Sequence, residues 1–195
     1  FFWVAKMVFM SQELTGQLPF KHVFLHAMIR DEEGDKMSKS KGNVIDPIHM
    51  IEGASLETLH ASLTGSNLDE SKVADGIKLQ KKIFGLTKGI PECGADAMRF
   101  GLCNYTAQGR NINLNVRVIQ AHRFFCDKLW NIVRFAQQNF TEGFVPQADL
   151  KSLVGVEKID RWILSTLAHH IRVANDGLAS YNFSHATDSV TAWWR

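Results

Sequence analysis

Trp3, Met7, Met10 and Leu14 recur four, three and four positions apart, the spacing of one helical face. Gly16 stands where a helix C-cap belongs and Pro19 follows it. The next apolar run, "HVFLHAMI" at 22–29, is apolar on both faces, the pattern of a strand buried inside a parallel sheet. Helix, short loop and buried strand make one beat of an α/β fold. Asp46 followed by Pro47 predicts a new helix start, with a capping carboxylate and a first-turn proline. Residues 53–92 read as an insertion of two short helices. Ser55 caps the first and Gly65 ends it; Asp69 caps the second, which carries Val73, Ile77 and Phe84. "ADAMRFGLC" at 95–103 predicts another helix, with Asp96 and Arg99 as an i,i+3 pair. From residue 116 the pattern is strongly helical. Phe125, Leu129, Ile132, Ala136 and Phe140 form one stripe. After a Gly/Pro-containing loop at 143–155, Ile159, Ile163, Leu167, Ile171, Ala174 and Leu178 form a second, and Ser184 is placed to cap a third helix. The fold class expected is therefore α/β followed by an all-α helical bundle.

Composition narrows the picture less than pattern does. The 195 residues are 45% hydrophobic, enough for a sizeable core, and the formal charge of +2 is nearly balanced, so any basic site must be local. Cys93, Cys103 and Cys126 are odd in number and form no CxxC pair, which fits free thiols in a reducing compartment, and a cytoplasmic location is expected. His22, His49, His60, His122 and His185 are scattered without metal-ligand spacing, so no metal site is expected among them. No run approaches the roughly 18–20 apolar residues of a membrane span. The chain opens within a pattern, at "FFWVAKMVFM", and stops at "TAWWR", so a piece of a longer protein is expected, inactive and poorly soluble alone.

The local basic site is "DEEGDKMSKSKGNVIDP", residues 31–47, in which Lys36, Lys39 and Lys41 stand among Ser38, Ser40 and Gly42. Ammonium groups suit phosphate oxygens, and serine hydroxyls and loop amides add hydrogen bonds. Gly42 permits backbone angles that other residues resist, and Asn43 tolerates the left-handed region. Composition alone favours a solvated surface loop neutralised by Asp31, Glu32, Glu33 and Asp35. The spacing is not that of a Walker A loop. Its location, between a predicted strand and a capped helix, is nevertheless where phosphate-binding loops stand.

"KMSKS" at 36–40 resembles the signature loop of the class I aminoacyl-tRNA synthetases, and "DKMSKSKGNVIDP" is similar to that of their valine, isoleucine and leucine group. "LTGQLPFKHVFLHAMIRDEEGDKMSKSKGNVIDP" and "GIPECGADAMRFGLCNYTAQGRNINLNVRVIQAHRFFCDKLWN" look most like the valine-specific branch, and the resemblance runs through "DRWILSTL". Asn111, Asn115 and Asp127 depart from it, standing where Asp, Asp and Asn are expected. The resemblance implies three parts. Residues 1–47 would be the C-terminal part of a Rossmann-like catalytic domain, 48–115 a connecting helical segment with the insertion, and 116–195 the start of an anticodon-binding bundle. It implies ligation of valine to tRNA(Val) through a valyl-adenylate, with ATP as co-substrate and Mg²⁺ expected. Lys39 and then Lys36 would stabilise the departing pyrophosphate, Ser38 and Ser40 would donate hydrogen bonds, Met37 and His26 would lie near the adenosine, and Trp3 would face the valine side chain. Gly34 and Gly42 would let the loop open and close around ATP. Periodicity alone would make Trp3 a core residue.

An apolar pocket sorts side chains by size better than by polarity, a limit for which synthetases of this kind are themselves the worked example, so a separate editing site is expected elsewhere. Arg117, Arg123, Lys128 and Arg134 on the first bundle helix could touch tRNA phosphates, but Asp127 interrupts them and a solvated face is the favoured reading. The readings left open are an isoleucine or leucine enzyme, a non-catalytic tRNA-binding module, and an unrelated nucleotidyltransferase. An HxGH-type motif, which would decide for catalysis, does not occur in these residues.

Overall fold

The chain is seen in a computed structural model that describes residues 1–38, 41–66, 68–85, 88–106, 111–145 and 157–194. The described residues are mostly helical: eight helices and two ladders of two short strands each. In chain order these are α1 (Phe2–Thr15), β1 (Ile29–Arg30), α2 (Pro47–Glu52), β2 (Ala54–Ser55), α3 (Leu56–Thr64), α4 (Glu70–Phe84), β3 (Gly89–Ile90), α5 (Ala95–Tyr105), β4 (Ile112–Asn113), α6 (Val116–Gln138), α7 (Lys158–Ala179) and α8 (Phe183–Trp193).

Local signals set most helix ends. Asp46 accepts the Ile48 amide at 2.8 Å with Pro47 at the first helical position, and Ser55 accepts the Thr58 amide at 3.1 Å. Gly16 ends α1 in the left-handed region and Gly65 ends α3. Asp69 precedes α4 as expected, but its side chain makes no cap bond and instead pairs with Lys72 at 3.3 Å. Ser184 does not cap α8. Asn182 does, accepting the His185 amide, while Ser184 is buried in the first turn with its amide donating to Thr106 Oγ1 at 3.2 Å. A neighbouring helix thus satisfies one of the orphan donors that a capping serine would have met. Asp96 and Arg99 do pair, at 3.8 Å on an exposed face.

The core forms where α2, α3, α5 and the start of α6 converge. Met50, Cys93 and Ile119 are its most enclosed side chains, packed with Leu59, Phe84, Ala97 and Leu114. Gly101 lets α5 approach α6 closely, since a Cβ there would stand 2.4 Å from Ile119 Cδ1. β1 runs parallel to β4 with Ile29 opposite Ile112, and β2 runs antiparallel to β3 with Ala54 opposite Ile90. The last two helices join this body through α5: Asn104 Nδ2 donates to Asp188 Oδ1 at 2.9 Å, and Gly177 of α7 fits against the α8 backbone at Ala186.

Two expectations are corrected here. The run 22–29 is not a buried strand: among the described residues only its last position belongs to a ladder, and Val23 and Leu25 are 53% and 86% exposed. Alternation of apolar residues reports a wish for burial on two faces, and pairing depends on what lies beside the run. Here its start leans on the α7–α8 turn instead, with the Phe24 ring 5.4 Å from Phe183 and 5.9 Å from Tyr181. Likewise α1 is a helix, but none of its residues is buried, Met7 of the stripe is only half-buried, and Trp3 is 76% exposed.

Ile119→Ala should cost about 2–5 kcal/mol through lost contacts and a cavity, read as a lower urea midpoint of the unfolding transition that includes this core. His122, tilted against Phe100 with centroids 5.2 Å apart, has its imidazole pKa pushed below the ordinary 6.5 by burial. The unfolded chain then binds this proton more readily. The group's contribution is therefore present above the ordinary value and lost as pH falls through the folded one. Urea midpoints should drop between pH 7.5 and 5.5, and less steeply in His122→Gln.

Candidate functional site

The lysine-rich segment begins at the end of β1 with a tight turn. Asp31 Oδ1 accepts the Asp35 amide at 2.7 Å, and its carbonyl accepts the Gly34 amide at 3.0 Å. Arg30 Nη1 donates to the Gly34 carbonyl at 3.0 Å, and Gly34 takes φ +85°, which suits glycine. The chain returns antiparallel to itself, bridging Arg30 and Lys36.

Asn43, only 6% exposed, closes the far side. Its Oδ1 accepts the Ser38 amide at 2.9 Å, and its Nδ2 donates to Asp31 Oδ2 at 2.8 Å and to the Lys36 carbonyl at 3.3 Å. The role expected of Asn43 was conformational, yet it is not among the residues with positive φ; Gly42 is, at +68°. One buried amide therefore ties the incoming turn, the middle and the outgoing end of the segment together. The Lys41 amide adds a bond to the Ser38 carbonyl at 3.1 Å.

The acids beside the lysines are mostly committed elsewhere. Asp31 is buried and engaged by Asn43, and Glu32 Oε1 accepts from Asn115 Nδ2 at 2.7 Å. Glu33 pairs closely with Lys82 of α4, a hydrogen bond and charge that raise the lysine pKa. Only Asp35, among the described residues, meets a lysine of the segment, Lys41, at 3.3 Å on an exposed face. Such a pair is worth little. Lys36 is exposed, so the segment keeps a positive outer surface.

Lys36, Met37 and Ser38 thus share one framework, with Met37 half-buried against the core. Lys39 and Ser40 lie outside the described residues. Trp3 is on α1, and exposed His26 makes a contact of its Nδ1 with the Ala27 carbonyl at 2.7 Å; both stand apart from the Asn43 network. Two of the α6 cations have partners, Arg123 with Asp127 at 3.3 Å on the same helix and Lys128 with the Trp194 carbonyl at 3.0 Å, 66 residues away. No group of three or more His, Cys, Asp or Glu among the described residues is arranged to hold a metal ion.

Sequence reasoning missed Asn43 as a clamp and Asn115 as a junction. Asn115 Oδ1 caps α6 by accepting the Arg117 amide at 2.8 Å while its Nδ2 reaches Glu32. An aspartate, expected there by resemblance, could cap but not donate. Its place just before a helical run was the available signal.

The family profile described as tRNA synthetases class I (I, L, M and V) matches residues 1–115. The chain belongs to the class I tRNA synthetases. Among members of this synthetase family, it is 50% identical to the valine--tRNA ligase of Mus musculus over 194 residues, covering all of this chain and 15% of the relative. It is 50% identical to that of Caenorhabditis elegans over 195 residues, 18% of the relative. It is 46% identical to the Arabidopsis thaliana valine--tRNA ligase, mitochondrial 1, over 195 residues, 17% of the relative. The chain thus spans under a fifth of the length of these synthetases.

Asn43→Ala removes the donor to the buried Asp31 carboxylate and the acceptor that the Ser38 amide meets, and should cost about 1–3 kcal/mol of local stability. Trypsin should then cut within 36–41 faster than in the wild-type protein.

Proposed function

We propose that this chain is part of a valine–tRNA ligase, holding its pyrophosphate-handling loop and the start of its tRNA-binding bundle. The observation that carries this reading is the identity of about one half, along the whole chain, to valine--tRNA ligases. The framework of the lysine segment supports it, since a rigid base that diverts acids away from outward lysines suits a polyphosphate ligand. In the reaction, a valine carboxylate oxygen attacks the α-phosphorus of ATP. A carboxyl–phosphorus bond forms, the α–β bridge breaks, and pyrophosphate leaves with the electron pair. The valyl group then passes to a terminal ribose hydroxyl of tRNA(Val), releasing AMP.

Charge grows on the departing pyrophosphate, so cations placed there in advance favour the transition state over the ground state. Lys39 is assigned the principal part and Lys36 the second, with Ser38 and Ser40 donating hydrogen bonds. Met37 and His26 are assigned to the adenosine and Trp3 to the valine side chain. For Trp3 and His26 the support is their exposure on α1 and the 22–28 run, faces open to the rest of a full-length enzyme. The same holds for a Rossmann-like setting of residues 1–47, which the parallel pairing of β1 with β4 favours. Residues 48–115 are then the connecting segment with its insertion, and 116–195 the first part of the anticodon-binding bundle.

Mg²⁺ would enter with ATP, since it is held in such sites largely by phosphate oxygens and water. The described residues offer no cage of their own for it, and no step here is routed through it. Among the described residues no helix is long and apolar enough to cross a membrane. A cytoplasmic place is proposed from the free thiols, with mitochondria as the other compartment in which relatives of this kind are named.

In the full-length protein, Lys39→Ala should slow valine-dependent ATP–pyrophosphate exchange about 10²-fold or more, as for loss of one preorganised donor. Exchange within a few-fold of wild type would overturn the assignment, and exchange driven by isoleucine or leucine instead of valine would overturn the substrate.

A further inference from the structure

The outgoing end of the lysine segment rests on the insertion. Gly42 is buried, and a Cβ on it would stand 3.1 Å from both the Gly76 Cα of α4 and Leu63 Cδ2 of α3. A Cβ on Gly76 would in turn stand 3.0 Å from Leu63 Cδ1 and 3.5 Å from the Gly42 Cα. Two glycines therefore meet almost backbone to backbone. Gly76 lies in the interior of a 15-residue helix, where glycine weakens the helix relative to alanine, so its place there is explained by the close approach rather than by propensity. Six residues further along α4, Lys82 reaches Glu33 in the incoming turn. Gln80, on the buried side of the same helix, lines a narrow cavity of about 20 Å³ with Asp31 and Asn43. One helix thus touches the segment at both ends, 49 residues away in sequence at the Glu33 contact.

We propose that α4 is a positioning element for the lysine segment, with Gly76 and Leu63 seating Gly42 and Lys82 holding Glu33, so that the insertion sets where the segment's cations stand. This rests on the reading of the segment as the ATP-handling loop. Neither Gly76 nor Lys82 need touch substrate; both act through the residues that they hold.

The test uses the full-length protein, with ATP–pyrophosphate exchange and limited tryptic cleavage at Lys36 and Lys41 as separate readouts. Gly76→Leu puts a good helix former in place of glycine while filling the space over Gly42. It should raise KM for ATP or lower kcat about tenfold, speed cleavage, and leave KM for valine within about twofold. Lys82→Glu should shift the same two readouts about threefold, and adding Glu33→Lys should restore both. The charge-swapped pair keeps the proposal open to refutation should Gly76→Leu fail to fold. Unchanged ATP kinetics and cleavage in Lys82→Glu, or no recovery in the swapped pair, would overturn it. If Lys39→Ala leaves exchange intact, the ATP reading fails instead, and the cleavage rates alone then decide whether α4 holds the segment.

Discussion

A single buried carboxamide sets the geometry of this molecule's most basic segment. Asn43 accepts from one point of the loop and donates to two others, one of them a buried carboxylate. Hydrogen bonds to an ionised acceptor are the stronger kind, and in a buried setting their loss is not replaced by water. The constraint has reach because it joins the end of β1 to the residues just ahead of α2. The parallel ladder on one side and the proline-started helix on the other are held in one frame.

That frame also explains the electrostatics. The segment and its flanks hold more acids than lysines, Asp31, Glu32, Glu33, Asp35 and Asp46 against Lys36, Lys39 and Lys41, and in an unstructured chain they would screen each other. Folding sorts them. Asp31 turns inward, Glu32 and Glu33 are taken by Asn115 and Lys82, and the lysine side chains at 36 and 41 are left at the surface. Charge separation of this kind comes from hydrogen-bond partners distant in sequence, one in the junction before α6 and one in the insertion.

What could be read in advance divides along the same line. Asp46 with Pro47, Ser55, Gly16 and Gly65 were legible because a cap is a contact over two to four residues. Asp69 and Ser184 misled because the same side chains had other partners within reach, Lys72 in one case and Asn182 in the other. The run 22–29 misled more deeply, since a strand exists only with a neighbour beside it. At the site, the lysines and serines are the basis of the anion-binding reading proposed above. Asn43 did not announce a clamp, because its decisive partner, Asp31, is 12 residues away. Asn115 looked like a mere departure from the expected aspartate until Glu32 was found facing it.

The insertion itself leaves and rejoins the body through one narrow neck. Ala54 lies opposite Ile90 and Ser55 opposite Gly89, with the Leu56 amide on the Lys88 carbonyl at 3.1 Å. Gly89 has φ +131°, and a Cβ on it would fall 2.1 Å from the Ala54 carbonyl oxygen, so the neck admits no side chain there. The insertion thus leaves and returns through a pinched neck, yet it is not a detachable module, because Leu59 of α3 and Phe84 of α4 pack in the core beside Met50, Cys93 and Ile119. The leaning of Gly42 on Gly76 adds to that hold: shortening the insertion would leave the neck closed but take away core side chains and, with them, the wall against which the lysine segment rests.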